Sequence, residues 1–105
     1  MTYDCPPFVA DCRVRAATDL LTHTWDPVVL MALRYGGRRR RELLADIGGI
    51  SDKALTQSLR RLVDNGLLIR VGDRPVVVYA LSGRGQSLVD GPMTALAEWA
   101  VENAS

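Results

Sequence analysis

The chain of 105 residues predicts a mainly α-helical domain carrying one small β-hairpin. Three features lead to that reading. Apolar residues recur at helical spacing over most of the length. Residues that cap and stop helices punctuate those stretches. Only around residues 67–81 does the pattern change, to two β-branched runs on either side of turn chemistry. At 48% hydrophobic and 24% charged, the composition is that of an ordinary globular domain, and the length suits one domain rather than two.

Taken in order, residues 1–8 hold Pro6 and Pro7 and predict an extended arm. From residue 11 to about 22, "DCRVRAATDLLT" sets Val14, Ala17, Leu20 and Leu21 on one helical stripe. In "WDPVVLMALRYGG", Asp26 can cap, Pro27 suits the first helical position, and Gly36 or Gly37 can take the left-handed end. Its centre, "VVLMAL", is apolar almost all round, which predicts the most buried helix. A short helix over about 39–47 stops at Gly48-Gly49. The next starts at Ser51 as N-cap, with Ile50 as the hydrophobic residue just before it. Leu55, Leu59 and Leu62 then face inward, Asp52, Lys53, Thr56, Gln57, Arg60 and Asp64 face outward, and Asn65-Gly66 is the stop.

"LLIRV" and "VVVYAL" around "GDRP" read as a hairpin. Helical spacing returns in the last segment with Leu88, Leu96, Trp99 and Ala100. Gly91-Pro92 should kink or split it, because Pro92 has no N–H to donate. Helix, helix, short helix, tight turn, helix, hairpin, helix is the order of a winged helix-turn-helix domain. The expected organisation is a single domain over 1–105: arm 1–8, helix-turn-helix 39–65, wing 67–81 and a C-terminal dimerisation helix 83–104.

The net charge of +1 hides an uneven distribution. Residues 34–61 carry eight basic against three acidic side chains, a local net charge of +5 between two acidic flanks. That is the footprint expected of a surface that meets an anion, DNA foremost. No apolar stretch approaches the roughly 20 residues of a membrane span, and the first residues lack the basic-then-apolar pattern of a secretory signal. These features, with only two cysteines, lead us to expect a cytoplasmic protein in a reducing compartment. Cys5, Cys12 and His23 are too few for a zinc site. His23 has no nucleophile motif beside it, and "YGGRRRREL" lacks the spaced glycines and lysine of a phosphate-binding loop. No enzyme activity, metal or cofactor is therefore expected.

The helix opening at Ser51 sits where helix-turn-helix proteins enter the major groove. Thr56 and Gln57 suit base edges, since an amide can pair with adenine and a methyl can touch thymine. Lys53, Arg60 and Arg61 suit phosphates. A solvated amphipathic face would look the same. Four consecutive arginines, 38–41, cannot all touch one phosphate row at 100° per helical residue. Arg38 and Arg39, at the helix entrance, are the expected phosphate contacts, and the stem of Arg40 is expected to pack. Arg74, at the hairpin tip, either reaches DNA or is simply exposed.

Cys12 lies beside Arg13 and near Arg15, which favour the thiolate, although Asp11 opposes them. It reads equally as a sensing thiol or as a small core residue. An unbroken helix through Cys5 and Cys12 would hold their Cα atoms ~10.5 Å apart, too far for a disulfide. A bond between cysteines would need the arm to fold back or a second subunit. Val14, Leu96 and Trp99 suggest a dimer interface, with packing on their own domain as the other reading.

Nearly the whole chain, from about Cys12 to Trp99, resembles the HxlR-type transcriptional regulators within the MarR-like winged-helix group. The resemblance rests on "CRVRAATDLLTHTWDPVVLMAL", on "RRREL", most specifically on "GGISDKALTQSLRRLVDNGLLIR", then on "YALSGRG" and Trp99. Three departures stand out: Arg40 where the family tends to place an aromatic, a wing cut to "VGDRPV", and Thr24 where Lys is usual. The resemblance implies a homodimer on double-stranded DNA with an inverted-repeat operator. It also implies, as for some members of the family, sensing of oxidants or electrophiles through the N-terminal cysteine, here Cys12. Cys5 is a second candidate for redox sensing, and a small-molecule effector is the other expectation. The function from another class that fits the same fold is a winged-helix protein-interaction module without DNA contact.

Overall fold

The computed structural model of the chain describes residues 12–103, so the arm over 1–8 and Cys5 lie outside the described residues. Helix α1 covers Arg13–Thr18 and runs into a 3-10 turn at Asp19–Leu21; α2 covers Asp26–Ala32. Strand β1, Arg38–Arg39, leads directly into α3, Arg40–Ile47, and α4 follows at Asp52–Asp64. The wing is β2, Leu68–Val71, and β3, Val78–Leu81. Helix α5, Gly83–Leu88, continues through a π turn, Val89–Met93, into α6, Thr94–Asn103. This is a winged-helix fold, mainly helical with a small antiparallel sheet. No helix among the described residues is long and apolar enough to cross a membrane.

The core forms where α2, α3 and α4 converge above the sheet. Val29, Leu30 and Leu33 meet Leu43, the Leu55–Leu59–Leu62 stripe, and Leu67 and Leu68 at the start of the wing. The three α4 leucines face inward as their spacing requires. Ser51 is the N-cap of α4, its Oγ accepting from the Ala54 N–H at 3.0 Å. At the other end Gly66 takes a positive φ of 75°, and the Leu67 N–H donates to the Leu62 carbonyl at 2.9 Å. The chain thereby turns from α4 straight into the wing.

Several elements depart from the sequence reading. The sheet has three strands in the order β1-β3-β2, because Arg38 and Arg39 pair with Tyr79 and Val78. Gly37 permits that approach: a Cβ there would lie 2.6 Å from Val78 Cγ1. Helix α2 ends at Ala32, and Gly36 sits beyond it at φ 138° rather than as its immediate cap. Asp26 does not cap α2. It is 1% exposed, and its carboxylate turns into the domain.

Pro92 lies in the π turn that separates α5 from α6, so the last segment is interrupted there, as its sequence leads one to expect. That turn absorbs its missing N–H, with Thr94 Oγ1 donating to the Val89 carbonyl at 2.7 Å. Helix α1 starts only at Arg13, leaving Cys12 extended at φ −67°, ψ 136°. The unbroken helix that would have kept the two cysteines apart is therefore not formed. Cys12 is buried and disulfide-bonded, whereas its sequence context suggests a reducing compartment, and a bond only if the arm folds back or a second subunit supplies the partner.

Candidate nucleic-acid interface

The outer face of α4 presents Asp52, Lys53, Thr56, Gln57 and Arg60, all exposed on one side of a helix whose other side is sealed into the core. Burial of Leu55, Ser58, Leu59 and Leu62 fixes the rotation of the helix, so the polar residues cannot turn inward. Ser51 stands at the head of this face with its hydroxyl committed to the cap.

Arg61 is placed differently from its expected phosphate role. Its Nε and Nη2 donate to the two Asp26 oxygens at 3.1 and 2.8 Å. The buried Ser58 hydroxyl donates to Asp26 Oδ1 at 2.6 Å. Hydrogen bonding to Asp26 raises the Arg61 pKa above its ordinary value, burial pulls the other way, and the charge of Asp26 adds to the rise. Arg61 thus joins α4 to α2 and is not available to DNA in this arrangement.

The arginine run divides between strand β1, which holds Arg38 and Arg39, and helix α3, which opens at Arg40. Arg38 lies 3.5 Å from Asp46 and is half-buried. Arg39 is the N-cap residue of α3, and its N–H donates to Glu42 Oε1 at 2.8 Å. Arg40 reaches across to α4, where Nη1 pairs with Asp52 Oδ1 at 2.8 Å. Its Nη2 donates to the Asp52 carbonyl at 2.9 Å and to Thr56 Oγ1 at 2.8 Å. Arg41 is exposed.

A groove of about 620 Å³ opens between the start of α3 and the wing. Arg39, Arg40, Arg41, Arg70 and Arg74 line it together with Tyr79, Val77 and Pro75, and no acidic side chain does. Arg39, Arg41, Arg70 and Arg74 make no ion pair among the described residues. A second groove of about 260 Å³, lined by Thr56, Arg60, Arg40, Arg70 and Tyr79 with one carboxylate, Asp64, joins the α4 face to the wing. Unneutralised cations in a concave surface attract a polyanion.

The sequence reading had named Arg39 and Arg74 from this wall but not Arg41, Arg70 or Tyr79. The strand register was the missing signal: Arg70 stands opposite Tyr79 across β2 and β3, which puts both on one face of the sheet.

The remaining named residues lie elsewhere. Val14 on α1 and Leu96 and Trp99 on α6 are exposed, far larger apolar surfaces than a solvated helix needs. No residue of α6 is buried, although it carries Leu96, Trp99 and Val101. Cys12 is the residue just ahead of α1.

Residues 20–105 match the family model described as HxlR-like helix-turn-helix. The uncharacterized HTH-type transcriptional regulator YtfH of Escherichia coli is 37% identical over 95 residues, spanning 88% of this chain and 75% of its own length. The structure of the ytfH protein of Salmonella typhimurium superposes with a TM-score of 0.75 at 35% identity, covering 95% of this chain and 91% of that one. The quinone-bound structure of YodB from B. subtilis superposes at 0.72 and 28% identity, over 86% of this chain and 97% of its own. With an arginine-lined groove beside the polar face of α4, on a fold shared with these regulators, the chain belongs to the HxlR-like helix-turn-helix family of DNA-binding transcriptional regulators.

Proposed function

We propose that the protein is a sequence-specific regulator that binds an inverted-repeat operator as a homodimer, with α4 in the major groove. The observation that carries this reading is the continuity of the polar α4 face with the arginine-lined groove at the wing. Gln57 and Thr56 read base edges, Lys53 and Arg60 hold adjacent phosphates, and Arg39, Arg70 and Arg74 hold the backbone beside the wing. Leu96, Trp99 and Val14 supply the two-fold contact, which lies on exposed apolar faces away from the groove. A cytoplasmic location accompanies this role.

The test is selection of bound DNA from a random pool, followed by titration at several salt concentrations. Binding should weaken as salt rises, with a slope of about −0.9 per phosphate contacted. Gln57→Ala should lose about 1–3 kcal/mol against the selected site and little against random DNA. Arg60→Ala should weaken binding to both about equally. Operator affinity untouched by both substitutions would sink the assignment of α4.

A response to oxidants through Cys12 is the second part of the proposal. It is supported by the disulfide at a buried residue just ahead of α1, and by the likeness to YodB, whose structure was solved with quinone bound. Operator affinity should differ between reduced and oxidised protein, and Cys12→Ser should abolish the difference. Equal affinity in both states would remove Cys12 from the reading.

A further inference from the structure

We propose that Arg40 is a positioning residue for base recognition, orienting Thr56 on α4 instead of gripping a phosphate. The inference rests on the reading that α4 contacts bases. Arg40 opens α3, yet its guanidinium crosses the helix-turn-helix turn to the first turns of α4. Three contacts fix it there: Asp52 Oδ1 at 2.8 Å, the Asp52 carbonyl at 2.9 Å and Thr56 Oγ1 at 2.8 Å. Every other arginine lining the wing groove lacks an ion pair among the described residues, whereas Arg40 is neutralised by Asp52.

The consequence falls on the Thr56 hydroxyl. A threonine hydroxyl has one hydrogen to donate and two lone pairs. With one lone pair taken by Arg40 and the rotamer held by that bond, Thr56 meets DNA in one orientation. The braced hydroxyl keeps its hydrogen and one lone pair, whereas without the brace the side chain could change rotamer and turn hydroxyl and methyl to different directions. The guanidinium therefore narrows what Thr56 accepts at its base pair. Arg40 also lies in the wall common to the two grooves, so the brace stands where α4 and the wing meet.

Arg40→Met, which keeps a stem and removes the donors, is the variant to make, with Arg40→Lys and Thr56→Val beside it. Each is put through selection from a random DNA pool and a salt titration on the wild-type site. Arg40→Met should lose about tenfold of discrimination at one base pair in each half-site and leave the others unchanged. The salt slope should stay within a few tenths of wild type, since no phosphate contact is lost. Arg40→Lys should recover part of the preference.

Thr56→Val should lose discrimination at the same base pair, and the double variant should lose no more than either single one. If Arg40→Met melts before it can be assayed, the Thr56→Val and Asp52→Asn profiles decide: both should change at that one base pair. Unchanged preferences in these variants would overturn the proposal. So would intact preferences with a slope reduced by about one unit, which would make Arg40 a phosphate contact. Failure of the wild type to select any DNA would instead refute the reading of α4 on which this rests.

Discussion

The Asp26–Ser58–Arg61 cluster predicts an asymmetry that simple counting of the ion pair would miss. Asp26 is 1% exposed, whereas the Arg61 side chain is 31% exposed. Arg61→Met strands a carboxylate in the interior with the Ser58 hydroxyl as its one remaining side-chain donor among the described residues. Breaking a buried pair from that side costs about 3–5 kcal/mol. Asp26→Asn leaves an acceptor for Ser58 and frees a guanidinium that can turn toward water, at a cost of about 1–2 kcal/mol.

The two substitutions should therefore differ by roughly 2 kcal/mol, or on the order of 10 °C in melting temperature for a domain of this size. A second consequence is sharper. Adding Asp26→Asn to Arg61→Met should restore about 1–3 kcal/mol, because a buried amide does not need a cation. Urea titrations followed by circular dichroism, at one fixed protein concentration, measure all three. An Arg61→Met protein as stable as Asp26→Asn, or a double variant no better than Arg61→Met, would refute the account.

Gly85→Ala should destabilise by about 3 kcal/mol despite the helix preference for alanine, because its Cβ would fall 2.0 Å from the Leu67 carbonyl oxygen. Thermal melting checks it, and a stability within about 0.5 kcal/mol of wild type would contradict the packing described. Ser51→Ala should cost about 0.5–2 kcal/mol through loss of the α4 cap, with Ser51→Asp close to neutral; equal losses in both would point away from capping. Leu96→Glu combined with Trp99→Glu should give a folded monomer by light scattering, since neither side chain is buried in its own domain. A dimer that survives the pair of charges would move the interface elsewhere.

How much of this was legible in the sequence depends on the distance over which each feature is decided. The α4 helix was readable to the residue because its cap, its leucine spacing and its glycine stop all act within one or two turns. The wing was readable because β-branched residues and turn chemistry are equally local. Strand β1 was not, since two arginines carry no apolar alternation, and the strand exists only where Gly37 lets it approach Val78.

Asp26 misled for the same reason. An Asp-Pro step at a helix start argues for a cap, whereas its partners Ser58 and Arg61 lie 32 and 35 residues along the chain. Arg61 was assigned to phosphate because it is basic and follows Arg60. One helical position turns it about 100°, onto the flank that meets α2. The groove could not be seen at all before the register of β2 and β3 set Arg70 beside Tyr79.

The direct passage from β1 into α3, Arg39 to Arg40 with no loop between, gives the wing a mechanical root in the helix-turn-helix unit. Strand β1, one stretch of backbone with α3, is hydrogen-bonded to β3 of the hairpin at Tyr79 and Val78, so the sheet ties the start of α3 to the wing. Lengthening or trimming the tip, residues 72–77, changes how far the wing extends without re-aiming α4. Two design variables are thereby separated within one small domain. Substitutions on the α4 face can retune which sequence is read, and changes at the tip can retune how tightly any sequence is held. A short wing is then a shorter lever on the same fixed hinge-free frame.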